Sequence, residues 1–268
     1  MIVSWRHLLS YPFCYTECMK QPIFVAHRGA WQTGRRENTA SAIERAAASG
    51  RFAYIEIDVR RSRSDDSATQ TPILIHDPTL DRLYELYKIP KSKRHRVGQP
   101  IHGLTIDIIR AEEIEVSTLA EGMRAANGHP INVELKAREA VEPTLEIITD
   151  MITKYEEWTW EKIVFSSFDW DILSDLKEKA PEAGLAMLYG WRSLPRSFGR
   201  TYHTLGARWI SFNKWLAPVF SPLAAIYGIH HRFAYSINSP MGVRVLQLFG
   251  IETVFTDSIT LPDVFDKS

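Results

Sequence analysis

Short apolar runs recur along the chain, and several of them stop abruptly at ionisable side chains. Phe24-Val25-Ala26 leads into His27-Arg28-Gly29, and the same form returns in Tyr54-Ile55-Glu56-Ile57-Asp58-Val59, Ile73-Leu74-Ile75-His76-Asp77 and Ile131-Asn132-Val133-Glu134-Leu135-Lys136. β-Branched and aromatic residues favour strands, and an ionisable group is costly inside a buried strand. These junctions therefore read as strand ends at a site.

Between them the pattern predicts helices. Glu37-Asn38-Thr39 offers an N-cap for the alanine-rich stretch Ala40 to Ser49, which Gly50 closes. Ala53 to Val59 follows as the second strand. Arg60 to Gln70 is then polar, turn-rich and too short for a helical crossover before Pro72 to His76, so an antiparallel hairpin is predicted. Val59 to Arg63 rises from the sheet, Asp65-Asp66-Ser67 turns, and the return arm brings His76 near the level of Asp58. Asp77 to Glu115 has little periodicity and holds Pro78, Pro90 and Pro100. It reads as an inserted subdomain capping the site. Its basic run Lys91 to Arg96 lacks interleaved aromatic residues for stacking on bases and reads as a solvated loop face.

Regular alternation resumes with a helix over Ser117 to Asn127 and a strand over Ile131 to Leu135. Pro143 suits a first helical turn, followed by Leu145, Ile148, Ile152 and Tyr155 at helical spacing. Asp169 caps a helix carrying Ile172, Leu173 and Leu176, and Gly250 ends one beginning near Met241. The remaining strands are Lys162 to Ser166, Leu185 to Leu188, Arg208 to Phe212, Phe233 to Ile237 and Thr253 to Thr256. With the hairpin arm set aside, eight parallel strands alternate with helices, which predicts an α/β fold of the (β/α)8 TIM-barrel type. A doubly wound sheet is the alternative, but no G-x-G-x-x-G follows the first strand. The expected organisation is an N-terminal extension over 1–21 and a barrel over 22–268, with an insertion at about 59–116.

Composition narrows the partners. The 268 residues are 45% apolar, enough for a large core, and 32 Lys and Arg balance 32 Asp and Glu. No global field draws the chain to nucleic acid or to an anionic membrane, so partners must be chosen locally. Both cysteines, Cys14 and Cys18, precede the first strand, which excludes a disulfide framework and suits a reducing compartment; a cytoplasmic location is expected. With no further Cys nearby they read as an accidental pair rather than metal ligands. Arg6, His7, Pro12 and Glu17 interrupt any signal-peptide core, and no apolar run is long enough to span a bilayer.

The predicted barrel mouth gathers the candidate chemistry. Glu56 and Asp58, two apart on a strand, project from one face, as do Glu134 and Lys136. Three carboxylates converging at low dielectric repel one another, and a divalent cation relieves this. Oxygen-only ligation points to Mg²⁺ or Ca²⁺. Structural ion pairs to Arg28 and Lys136 are the plainer alternative. His27 and His76 each end an apolar run, and two imidazoles flanking a phosphate can act as general base and general acid near neutral pH. Arg28 and Lys136 can neutralise phosphoryl oxygens.

Taken in order, His27-Arg28-Gly29, Glu37-Asn38-Thr39, Glu56-x-Asp58-Val59, His76-Asp77, Glu134-x-Lys136, Ser167-Phe168, Tyr235-Ser236-Ile237-Asn238 and Thr256-Asp257 resemble the glycerophosphodiester phosphodiesterases, barrels of the phosphatidylinositol-phospholipase-C-like group. The resemblance runs from Ile23 onward. It implies that Glu56, Asp58 and Glu134 bind the metal, that His27 and His76 transfer protons, and that a small-molecule glycerophosphodiester is split into sn-glycerol 3-phosphate and an alcohol. Arg36 stands where the family usually has proline, Arg63-Ser64-Asp65-Asp66 replaces its usual Thr-x-Asp-Gly turn, and Tyr235-Ser236 replaces its usual Trp-Thr; these departures bear on loop shape and substrate preference. Lysophospholipase-D-like cleavage is the runner-up, with the apolar stretch Trp215 to Phe220 accepting an acyl chain. A non-catalytic phosphate-binding barrel is a third reading, although binding alone needs no acid–base pair.

Overall fold

The structure, a computed structural model, describes residues 21–32, 36–64, 70–193 and 197–266. The predicted extension up to residue 20, with Cys14 and Cys18, and the turn Asp65-Asp66-Ser67 lie outside the described residues. The strands are β1 (Ile23–Ala26), β2 (Tyr54–Arg63), β3 (Gln70–Leu74), β4 (Ser117–Thr118), β5 (Ile131–Leu135), β6 (Ile163–Ser167), β7 (Gly184–Tyr189), β8 (Trp209–Asn213), β9 (Arg232–Tyr235) and β10 (Thr253–Thr256). The helices are α1 (Ala40–Ser49), α2 (Asp81–Leu86), α3 (Ile106–Ala111), α4 (Leu119–Ala126), α5 (Val141–Lys154), α6 (Trp170–Lys179), α7 (Phe198–Leu205), α8 (Ala217–Ile226) and α9 (Pro240–Gln247).

β1, β2 and β5 to β10 pair in parallel, and β10 pairs back onto β1, so the sheet closes as a (β/α)8 barrel. Local chemistry sets the helix starts as the sequence predicted. Thr39 Oγ1 accepts from Ala42 N at the start of α1, Gly50 closes it in the left-handed region, and Asp169 accepts from Asp171 N at the start of α6. Gly250, expected to end α9, instead closes a turn beyond Gln247.

Inside the barrel the side chains grade from apolar to polar. Val25, Val164, Ala186, Trp209, Phe233 and Phe255 form an apolar plug, with the Trp209 and Phe233 rings stacked at 4.7 Å. Toward the carboxyl ends of the strands the inward positions become Glu56, Asn132, Glu134, Ser166 and Ser211, all buried. The plug closes one end, so the chemistry is confined to the other.

The hairpin is present with a shifted return arm. β2 overshoots its parallel partner β5, whose pairing stops at Val59↔Leu135, and β3 runs antiparallel from Val59↔Leu74 to Arg63↔Gln70. The arm thus begins at Gln70 and stops pairing at Leu74, two residues short of the predicted His76. Ile75 N donates to Asp58 O at 2.9 Å, which brings His76 back to the level of the acids. Ser117 and Thr118, expected in a helix, are extended instead: Thr118 is the N-cap of α4 in a capping box with Glu121, so the residues before the helix are free to pair with Ile73 and Leu74.

The insertion forms a small unit of its own. Ile73, Ile75, Leu80, Tyr84, Ile101 and Ile109 share a separate apolar cluster, and the Tyr84 hydroxyl donates to Glu112 at 2.6 Å. α2 and α3 are six residues each, under two turns, which is why the sequence carries little helical period. Because these side chains are spent on their own core, the insertion flanks the cleft at the barrel mouth; among its described residues only His76 lines that cleft.

Candidate active site

The turn after β1 aims the first two functional groups. Arg28, Gly29 and Ala30 all take positive φ, and a Cβ on Gly29 would lie 2.9 Å from Ala42 Cβ and 3.0 Å from its carbonyl carbon. Only glycine lets this turn pack on α1. His27 Nδ1 donates to Asp257 Oδ1 at 2.6 Å, since a carboxylate can only accept, which leaves Nε2 facing the cleft 3.9 Å from Glu56 Oε2. Asp257 also accepts from Trp31 Nε1 at 3.2 Å and from Asn238 Nδ2 at 2.7 Å. Burial works to raise the Asp257 carboxyl, yet the His27 bond prevails and holds it below the usual carboxylate range.

His76 is held the same way. Its Nδ1 donates to Asp77 Oδ1 at 2.9 Å, and Arg82 pairs with both Asp77 and the buried Glu37. Burial again opposes ionisation, but His76 and Arg82 bring the Asp77 carboxyl down to about 2.

Between the imidazoles lie Glu56, Asp58 and Glu134, all buried, each offering an oxygen within 4.8 Å of the others. Asp58 is the most heavily neutralised. Arg28 Nε lies at 3.0 Å, Lys136 Nζ at 2.8 Å and Asn38 Nδ2 at 2.8 Å, while Asn38 Oδ1 accepts from the Asp58 amide at 3.0 Å. Burial would raise this carboxyl, but Lys136 and Arg28 hold it well below its ordinary value. Lys136 also bonds Glu134, and both cations are held above their ordinary values despite burial because Asp58 and the other acids face them.

Glu56 is treated differently. Burial first, then Asp58 and Glu134, push its carboxyl well above the usual range; Oε2 accepts from Arg28 N at 2.9 Å, while Oε1 is buried with no hydrogen-bond partner among the described residues. The ion pairs considered from the sequence are therefore real but leave a deficit of positive charge at Glu56. An orphaned carboxylate oxygen in an all-oxygen set suits a hard divalent cation, so these residues fit one.

The structure brings all seven sequence-predicted residues, His27, Arg28, Glu56, Asp58, His76, Glu134 and Lys136, to one rim. All but Asp58, which lies beneath, line a cleft of about 140 Å³ that Phe168 and Tyr235 wall on the far side. Sequence reasoning gave no role to Asp257, Asp77, Asn38 or Glu37, which hold the others in place. Asp77 adjoins His76, and Asp257 follows the apolar run of β10 in the same form as the predicted sites. Glu37 and Asn38 entered as part of a helix cap and of the family motif, neither of which says what they hold at the site.

Two imidazoles, two cations and three carboxylates on one rim of a (β/α)8 barrel are the constellation expected of a phosphodiester-hydrolysing barrel. A match to the Glycerophosphoryl diester phosphodiesterase family over residues 27–261 makes the assignment specific, and the chain belongs to that family. A phosphodiesterase of Oleispira antarctica, solved in complex with the product sn-glycerol-3-phosphate, is 22% identical, with 92% of this chain and 98% of that one covered at a TM-score of 0.68. A glycerophosphodiester phosphodiesterase of Parabacteroides distasonis ATCC 8503 is 18% identical over 92% and 96% of the two chains at 0.68. One from Agrobacterium tumefaciens str. C58 is 20% identical over 92% and 100% at 0.61. At such identities the likeness is one of fold. No curated protein matches the chain.

Proposed function

We propose that the protein hydrolyses glycerophosphodiesters to sn-glycerol 3-phosphate and an alcohol, with a divalent cation, Mg²⁺ or Ca²⁺, held by Glu56, Asp58 and Glu134. The observation that carries this reading is the pair of imidazoles in one cleft, His27 and His76, each with Nδ1 tied to a carboxylate and Nε2 left to exchange a proton. A bound cation would supply charge neutralisation for the phosphoryl oxygens. Arg28 and Lys136 share that task, and their own pairing to Asp58 fixes where they stand. One imidazole takes the proton of the glycerol 2-hydroxyl as its oxygen bonds to phosphorus; the other gives a proton to the departing alkoxide. Water then opens the cyclic phosphate with the roles reversed. The absence of cysteine beyond Cys18 supports a reducing compartment, the cytoplasm.

One observation favours a second reading, cleavage of lysophospholipids. A trough of about 290 Å³ between α8 and α9, walled by Trp215, Pro218, Val245 and Leu246, meets the cleft at Ser236, which lines both. An acyl chain laid there would keep its phosphodiester at the histidines. Both readings are tested by measuring phosphomonoester release from a panel of glycerophosphodiesters and lysolipids with and without EDTA. Glycerol 3-phosphate from the deacylated panel is expected. Release from neither panel would overturn both.

A further inference from the structure

The charges of this chain are balanced overall but not along its length. Residues 183 to 251 contain no Asp or Glu, yet hold seven of the 32 Lys and Arg, which leaves the rest of the chain seven acidic in excess. That segment builds one flank of the barrel, β7 to α9. It also carries nine of the fourteen exposed large apolar side chains among the described residues. Trp191 (61% exposed), Trp215 (72%) and Met241 (70%) follow the carboxyl ends of β7, β8 and β9 at the rim, and Val219 (66%) and Ile226 (81%) continue down the outer face of α8.

α8 is the centre of this patch. It contains no charged residue, and its one hydroxyl, Ser221, is buried and donates to Phe249 O at 2.7 Å. A surface helix with no polar face is covered by something apolar. The exposed cations of this flank are Arg192 after β7, Arg200 on α7, Lys214 just before α8 and Arg244 on α9, and Lys214 lies 5.7 Å from the Trp215 ring, an aromatic–cation pairing suited to a headgroup boundary.

From this juxtaposition we propose that the β7–α9 flank docks the barrel rim onto an anionic lipid surface. Apolar side chains would enter the headgroup boundary while the exposed cations of the flank meet anionic headgroups, an attachment that needs no spanning helix; none long and apolar enough exists among the described residues. Charge complementarity selects this occupant over a second copy of the chain, because two such flanks facing each other would oppose like charges. The trough at Trp215 opens on the same flank, so docking would bring the mouth of the cleft toward the lipid.

The test is co-sedimentation of the full chain with vesicles of phosphatidylcholine alone and of phosphatidylcholine containing one-third phosphatidylserine. Binding to the anionic vesicles only, weakened by added salt, is expected. The double variant K214A/R244A should weaken it roughly twenty-fivefold, since each basic residue near such a surface contributes about fivefold. V219S/I226S should weaken it independently of salt, with circular dichroism unchanged because both positions are solvent-exposed. The readout needs no turnover, so it is separable from the proposed chemistry. No binding to anionic vesicles, or binding indifferent to both double variants, would overturn the proposal. So would a lipid-free dimer in analytical ultracentrifugation that V219S/I226S dissolves, which would assign the flank to a second copy.

Discussion

Replacing Asp257 by asparagine keeps the shape of the side chain but removes the charge that holds His27. In the native site every partner of this carboxylate is a donor: His27 Nδ1 at 2.6 Å and Trp31 Nε1 at 3.2 Å to one oxygen, Asn238 Nδ2 at 2.7 Å to the other. The introduced amide must therefore turn its NH₂ either toward Asn238 or toward His27 and Trp31, and one arm opposes a donor in both cases. If it faces His27, the imidazole must present Nδ1 as an acceptor, which moves the ring proton to Nε2 and spoils the group that faces the cleft. A hydrogen bond to a charged group is worth about 1.5–3 kcal/mol, so kcat should fall about ten- to over a hundredfold. The assay is kcat for glycerol 3-phosphate release, with Mg²⁺ affinity measured in parallel and expected to be unchanged. In a His27→Ala background D257N should cost almost nothing further, because the carboxylate acts through that imidazole. An equal loss in both backgrounds, or a loss under twofold in the native chain, would refute the reasoning.

Three further outcomes follow from the same geometry. Glu56→Gln should lose divalent-cation affinity in calorimetry by about tenfold or more. In EDTA at about pH 8 it should resist urea better than the native chain, because the Glu56 carboxyl is raised in the fold and its ionised form is destabilising above the unfolded pKa. Asp77→Asn should cost about 1 kcal/mol at neutral pH after allowance for screening; the Asp77 carboxyl is depressed to about 2, so the contribution is present above its unfolded value near 4, and the gap to the native chain in urea melts should close as pH falls toward 2. Gly29→Ala combines a left-handed backbone with overlap against Ala42 and should lower unfolding free energy by about 2–4 kcal/mol, read by urea denaturation.

The barrel was legible because its strands announce themselves as apolar runs, and β1, β2 and β5 do so a second time by the ionisable residues that end them. The hairpin followed from chain length alone, since too few residues separate Asp58 from His76 for a helix. What stayed hidden depends on contacts between distant segments. Asp257 meets His27 only because β10 closes against β1, and Glu37 meets Arg82 only because the insertion folds back on the loop before α1. The two six-residue helices of the insertion were unreadable for a different reason: a pattern shorter than two turns has no measurable period. Charge balance over the whole chain likewise concealed the acid-free flank from 183 to 251, which matters only once α8 is seen to lie on the surface.

The central claim is that two imidazoles and three carboxylates act on one phosphodiester. The most direct measurement is ³¹P NMR of glycerophosphocholine turnover by the native chain, His27→Ala and His76→Ala, each with Mg²⁺ and with EDTA. Conversion to glycerol 3-phosphate is expected in the native chain, with arrest by EDTA and recovery with added cation, and a loss of about 10²-fold or more in each histidine variant with cation affinity retained. Phosphocholine as the product, full turnover in EDTA, or near-native rates in either variant would contradict it.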